Sequence, residues 1–148
     1  MLALMRTGQR RRAWQVLEML LPPSHADSRA AAGRYRVEPY VLAADIYGAP
    51  PYEGRGGWTW YTGSAAWLTY AVREHMLGLT VRAGRLRFAP RVPEYWQEVR
   101  VSYAWGSARY EITARRSCRS ATPPEAVRGG WIELKDDGAV HEITLPLR

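Results

Sequence analysis

The chain has 148 residues, 47% hydrophobic and 24% charged, with a net charge of +7. That length suits one domain or two small ones and can bury a core without covalent staples. Its richness in Trp, Tyr, Val and Leu excludes a disordered chain, and no apolar run approaches the roughly 20 residues of a transmembrane helix. The charge is spread evenly, +3 over residues 1–77 and +4 over residues 78–148. A long basic stripe of the kind that tracks nucleic acid is missing, so no nucleic-acid partner is expected. Arg10, Arg11 and Arg12 read as a solvated helix face.

At the N-terminus the basic run follows the apolar residues, the reverse of a secretory signal. The single Cys118 cannot form an internal disulfide. A reducing, cytoplasmic location is therefore expected. Residues 1–7 read as the end of a helix. From Gln9 to Leu21, Ala13, Val16, Leu17, Leu20 and Leu21 recur at helical spacing, and Pro22-Pro23 ends the run. Residues 22–36 form a connection with a helical turn at Ser28 to Gly33. The stretch Val37 to Tyr47 is predicted to be helical, with Pro39 in its first turn and Glu38 at the positive end of its dipole. A loop rich in Gly and Pro follows from Gly48 to Gly57. The next helix starts near Thr62, with Ala65, Leu68, Val72 and Met76 on its apolar face and Gly78 as its C-cap.

After Gly78 the period changes to two. Leu79 to Val81 and Leu86 to Phe88 flank a turn at Ala83-Gly84. Val99 to Trp105 and Arg109 to Ala114 flank one at Gly106-Ser107, and Trp131 to Leu134 and Val140 to Leu145 flank Asp136-Asp137-Gly138. Each pair reads as a hairpin. Helices followed by strands suggest two structural units, α then β, over 1–78 and 79–148.

The segment with the richest chemistry is Gly54-Arg55-Gly56-Gly57-Trp58-Thr59-Trp60-Tyr61-Thr62-Gly63-Ser64-Ala65-Ala66-Trp67. Glycines admit positive φ or close backbone approach, and Trp58, Trp60 and Tyr61 offer flat faces for stacking. Free N–H groups where Thr62-Gly63-Ser64 opens a helix, added to the helix dipole, make an anion site. Gly63 lets an oxoanion reach the amides, the Thr62 hydroxyl can donate, and Arg55 can add a charge-assisted bond. The plainer alternative is an ordinary N-cap at Thr62 or Ser64 with the Trp residues in the core. His25, His75 and His141 have no metal-ligand spacing, and Cys118 has no nucleophile pattern around it. Glu38 and Asp45, seven apart, would share one helix face, an arrangement more typical of solvation than of acid–base work.

The run Tyr35 to Tyr47, with Glu38-Pro39-Tyr40-Val41, followed by Gly54 to Trp67, resembles glycoside hydrolase family 94. These are inverting glycoside phosphorylases. The nearest likeness is to the subgroup acting on β-1,2-glucans: the C-terminal domain of cyclic β-1,2-glucan synthases and the 1,2-β-oligoglucan phosphorylases. The resemblance runs on through Glu74 to Leu79 and Tyr110-Glu111-Ile112 and weakens after Cys118. It implies the terminal helices of an (α/α)6 barrel followed by an antiparallel β-sandwich. It also implies that inorganic phosphate, a co-substrate, attacks the anomeric carbon of a β-glucan oligosaccharide while an Asp protonates the leaving oxygen; no further cofactor is called for.

The family's phosphate-binding Thr and Gly carry over to Thr62 and Gly63. Arg55 and Ser64 are added as phosphate candidates, and Trp60, Tyr61 and Glu38 as substrate candidates. The family's catalytic Asp and phosphate-contacting His lie upstream of this region, and His25 does not stand in for the latter. Tyr52 stands where a His is expected. The resemblance therefore implies the C-terminal part of a larger enzyme, inactive alone and with no catalytic residue of its own: a truncated gene, a split gene, or one piece of a two-chain assembly whose upstream part is a separate partner chain. The alternative is a non-catalytic carbohydrate-binding or interaction module stacking sugars on its Trp faces.

Overall fold

Proline ends the longest helix where the sequence says it should. In the computed structural model, which describes residues 1–116, 127–128 and 130–147, α1 spans Leu2–Arg6 and α2 spans Arg10–Leu20. A 3-10 turn, Pro22–His25, follows at once. Helix α3, Arg29–Tyr35, is capped by the Ser28 hydroxyl, which accepts from the Ala31 amide at 3.1 Å. It stops at Arg36 in a left-handed conformation, φ 53°. Cys118 lies outside the described residues.

The helix expected over Val37 to Tyr47 does not form. Pro39 takes the second position of a turn instead, in which the Val41 amide donates to the Glu38 carbonyl at 3.1 Å. The chain then extends, and its polar groups find partners across the glycine loop. Strand β1, Asp45–Ile46, pairs antiparallel with β2, Gly56–Gly57. The Tyr47 amide donates to the Arg55 carbonyl at 2.9 Å and the Gly54 amide to the Tyr47 carbonyl at 2.8 Å. A ladder with the glycine run thus supplies the hydrogen bonds that a helix would have made internally.

Helix α4, Thr62–Tyr70, continues into a π-helical turn, Ala71–Met76, closed by a bond from the Leu77 amide to the Val72 carbonyl at 2.8 Å. Of its expected apolar face only Met76 is buried. The chain divides here into two units, Met1–Ala71 and Val72–Arg148. Gly78 has φ 62°, and a Cβ there would lie 2.1 Å from the Ala89 carbonyl oxygen; only glycine fits.

The second unit holds two sheets. Strands β3, Leu79–Arg82, and β4, Arg85–Phe88, form the expected hairpin. Its turn residues, Ala83 and Gly84, both have positive φ, as a two-residue primed turn requires. Strands β5, Glu98–Trp105, and β6, Ala108–Arg115, form the second hairpin. The third does not exist. Strand β8, Trp131–Glu133, pairs with β4 and with β7, Val127–Arg128, while β9, Val140–Pro146, runs parallel to β6 in the other sheet.

The strand orders are β3-β4-β8-β7 and β5-β6-β9. A parallel partner needs a crossover rather than a tight turn, and the β7–β8 excursion into the first sheet lies between β6 and β9. Bonds to residues distant in sequence also take the turn residues away from a hairpin. The Asp136 carboxylate accepts from the Ser107 amide and hydroxyl at 2.7 and 2.5 Å, and the Lys135 amide donates to the Tyr110 hydroxyl at 2.6 Å. Strand β6 alternates strictly, with Ala108, Tyr110, Ile112 and Ala114 buried. The molecule is mixed α and β, with few helices and mainly antiparallel sheets.

Candidate functional site

The two central glycines of the candidate segment serve the fold. A Cβ on Gly56 would lie 2.3 Å from a Val37 methyl, and one on Gly57 would lie 2.6 Å from an Asp45 carboxylate oxygen. Both residues are buried. Their close neighbours are the chain's own side chains, so the approach of a ligand is not what demands glycine there. Gly63 differs. A Cβ at Gly63 would meet only the Tyr61 ring, at an ordinary 3.5 Å, and the residue is exposed.

Between these glycines the backbone is strained. Trp58 and Trp60 have φ of 50° and 65°, a region that bulky L-residues rarely enter. Such conformations cost about 1–3 kcal/mol each and cluster at functional sites. Burial does not offset the cost, since Trp58 is 68% exposed and Trp60 64%. Trp58 packs edge-on against Tyr61, and Trp60 edge-on against Tyr40, with centroids 6.0 Å apart in both pairs. The Trp60 indole N–H donates to the Glu38 carboxylate at 3.3 Å. None of the seven Trp residues is buried, so the plainer alternative, with the Trp residues of this segment in the core, is not what forms.

Helix α4 opens at Thr62 with Tyr61 as its N-cap residue and no side-chain cap. The Ser64 hydroxyl donates to the Tyr61 carbonyl at 3.0 Å, so it does not cap the amides, and the ordinary Thr or Ser cap is not made. Helix geometry leaves the amides of Thr62, Gly63 and Ser64 without intrahelical acceptors. Thr62 and Gly63 are exposed. Three donors and the positive end of a helix dipole thus lie together at the start of α4, the chemistry of an oxoanion site.

Of the predicted residues, the structure brings Glu38 and Trp60 into contact across 22 residues, and Tyr61, Thr62, Gly63 and Ser64 stand together at the helix start. Arg55, half-buried, lays its guanidinium over the Tyr52 ring, 5.7 Å from the centroid. Glu38 and Asp45 do not share a helix face, since one lies in a turn and the other in β1. Nothing in the sequence marks Tyr40 as a partner of Trp60, because the helix expected there aims it elsewhere. His25 stacks on Tyr35, and burial pushes the Tyr35 phenol up from its ordinary value. Among the described residues, no group of three or more His, Cys, Asp or Glu side chains is placed to hold a metal. No helix among them is long and apolar enough to cross a membrane.

The profile of the glycosyl hydrolase 94 superfamily catalytic domain matches residues 1–78. A cyclic β-(1,2)-glucan synthase, NdvB, of Rhizobium meliloti (strain 1021) is 41% identical over 128 residues, which is 86% of this chain and 4% of that protein. A solabiose phosphorylase of Paenibacillus borealis is 26% identical over 148 residues, 95% of this chain and 19% of the relative. An N,N'-diacetylchitobiose phosphorylase of Vibrio furnissii is 30% identical over 79 residues, 53% of this chain and 10% of the relative. The chain therefore spans less than a fifth of each of these relatives.

Proposed function

The chain belongs to the glycosyl hydrolase 94 superfamily, and we propose that it supplies the phosphate-binding part of a β-glucan phosphorylase active site. One observation carries this reading: Gly63 sits exposed in the uncapped first turn of α4, where no neighbour demands a glycine. Inorganic phosphate rests on the Thr62, Gly63 and Ser64 amides, with the Thr62 hydroxyl as a further donor and Arg55 as a counter-charge. Glu38, Trp60 and Tyr61 face the sugar, the indole being held by its bond to Glu38.

A phosphate oxygen attacks the anomeric carbon with inversion. The carbon–oxygen glycosidic bond breaks, and a carboxylic acid outside this chain delivers a proton to the leaving oxygen. An acid in that role contributes roughly 10²–10⁴-fold, so the chain alone is inactive. No further cofactor takes part. The likeness to a cyclic β-(1,2)-glucan synthase supports β-1,2-linked glucan as the substrate. In this reading residues 1–78 are the closing helices of an (α/α)6 barrel, the remainder is a β-sandwich, and the upstream part of the enzyme completes the site in a reducing compartment.

Titration of the 15N-labelled chain with inorganic phosphate tests the carrying observation. Saturable movement of the Thr62, Gly63 and Ser64 amide signals is expected, weakened in Thr62→Ala; signals that stay still at millimolar phosphate would overturn the reading. In a phosphorolysis assay with β-1,2-gluco-oligosaccharide, the chain alone should release no α-glucose 1-phosphate. The exposed Trp58, Trp60 and Trp67 support the alternative of a non-catalytic carbohydrate-binding module. Sugar binding that ignores both phosphate and Thr62→Ala would favour it.

A further inference from the structure

The outward face of the β5-β6-β9 sheet carries a groove of about 340 Å3, at the small end of the roughly 300–1,000 Å3 range of ligand sites. Period-two alternation turns Arg100 and Ser102 of β5, Glu111, Thr113 and Arg115 of β6, and Glu142 and Thr144 of β9 to this side, opposite the buried Ile112 and Ile143. The register sets Arg100, Thr113 and Thr144 in one row and Ser102, Glu111 and Glu142 in the next.

Charge on this face is balanced and mostly committed. Glu98 bonds both Arg100 and Arg115, and these bonds hold its carboxyl below the usual range. Glu111 accepts from the Ser102 hydroxyl at 2.7 Å. Among the described residues, the Thr113 and Thr144 hydroxyls and the Glu142 carboxylate have no hydrogen-bond partner.

The lining selects a ligand chemistry. Glu111 and Glu142 stand side by side, and Arg100 and Arg115 are both engaged by Glu98, so no uncommitted positive charge awaits an anion. The two carboxylates are too few to hold a metal. The side chains offered are polar, so an apolar ligand gains little. A neutral polyhydroxylated molecule remains, which needs donors and acceptors in alternation and no net charge. We propose that this groove binds the hydroxyls of a neutral carbohydrate chain, with Glu142 as acceptor, Thr113 and Thr144 as donor–acceptors, and the unbonded guanidinium N–H groups of Arg100 and Arg115 as donors. None of its residues belongs to the α4 site. Only the choice of a glucan as probe rests on the proposed phosphorylase reading.

Titration of the 15N-labelled chain with a linear β-1,2-linked glucopentaose tests it. The amides of Thr113, Glu142 and Thr144 are expected to shift saturably. Glu142→Gln and Thr144→Val, both exposed and conservative, should together weaken that binding roughly tenfold, the loss expected of two hydrogen bonds. Glu142→Gln alone should weaken it by less, with an unchanged spectrum elsewhere. Glucan shifts absent from these strands, confined to residues 38–67, or indifferent to both substitutions would overturn the proposal. None of those results bears on phosphate at Thr62, which the separate phosphate titration reads.

Discussion

Glycines six residues apart hold opposite jobs. Gly57 is boxed in by Asp45 and by the Tyr47 hydroxyl, 2.7 Å from where a Cβ would be. Gly63, six residues later, has open space around it apart from the Tyr61 ring. Alanine should therefore act with opposite sign at the two positions. Gly63→Ala should stabilise α4 by up to about 1 kcal/mol, through backbone entropy lost from the unfolded chain, while weakening phosphate binding. Gly57→Ala should destabilise by about 1–3 kcal/mol, because its methyl forces β1 away from β2. Denaturant unfolding of both variants checks the signs, and a stabilising Gly57→Ala would contradict the packing. The sequence marked both glycines as candidates for close approach and could not tell them apart. The atoms that decide belong to Asp45 and Tyr47, which the β1–β2 pairing brings near.

Elements were legible where the local signal had no rival. The Gly8 and Pro22 boundaries of α2, the Ala83-Gly84 turn and the alternation of β6 all appear as read. Two elements were misread where a distant partner outbid the local pattern. Pro39 suits a helical first turn and a β-turn equally, and the glycine run settled it by offering a ladder. Asp136-Asp137-Gly138 looks like a hairpin turn, yet the Asp136 carboxylate is engaged by Ser107, distant in sequence, while Asp137 bonds its near neighbours. Asp136 is held below its ordinary value first by the Ser107 hydroxyl and then by the Ser107 amide. Asp137 is held below its own by the Ala139 amide and then by His141.

A depressed folded value means that the stabilisation is complete above the usual carboxylate range and is lost as pH falls through the folded value. The stability difference between the natural chain and Ser107→Ala should therefore stay constant above about pH 5 and shrink below about pH 4. Urea unfolding across that range measures it. A difference that did not change with pH would show that Asp136 does not clasp the β8–β9 crossover.

On the scale of the whole molecule, apolar surface is unevenly distributed. Among the described residues, six of the nineteen buried hydrophobics lie in Met1–Ala71, whereas ten of the twelve large exposed ones do. Helix α4 buries none of its residues. Periodicity identifies the face of a helix that calls for cover; it does not say whether the cover belongs to the same stretch of chain. That is why the helix at Thr62 was legible and its exposure was not. Each large side chain left in water forgoes about 1.5–3 kcal/mol that covering would contribute, so the two units should differ sharply in local stability. Hydrogen exchange reads this directly. The amides of Tyr110, Ile112 and Ile143, buried in the β5-β6-β9 sheet, should exchange slowest, and those of α4 and the β1–β2 ladder fastest. Adding the upstream part of the enzyme as a second polypeptide should slow exchange in α4 and leave Ile112 unchanged. Equal protection of α4 and Ile112 in the chain alone would mean that the first unit needs no covering surface, and the proposal of a shared active site would lose its structural basis.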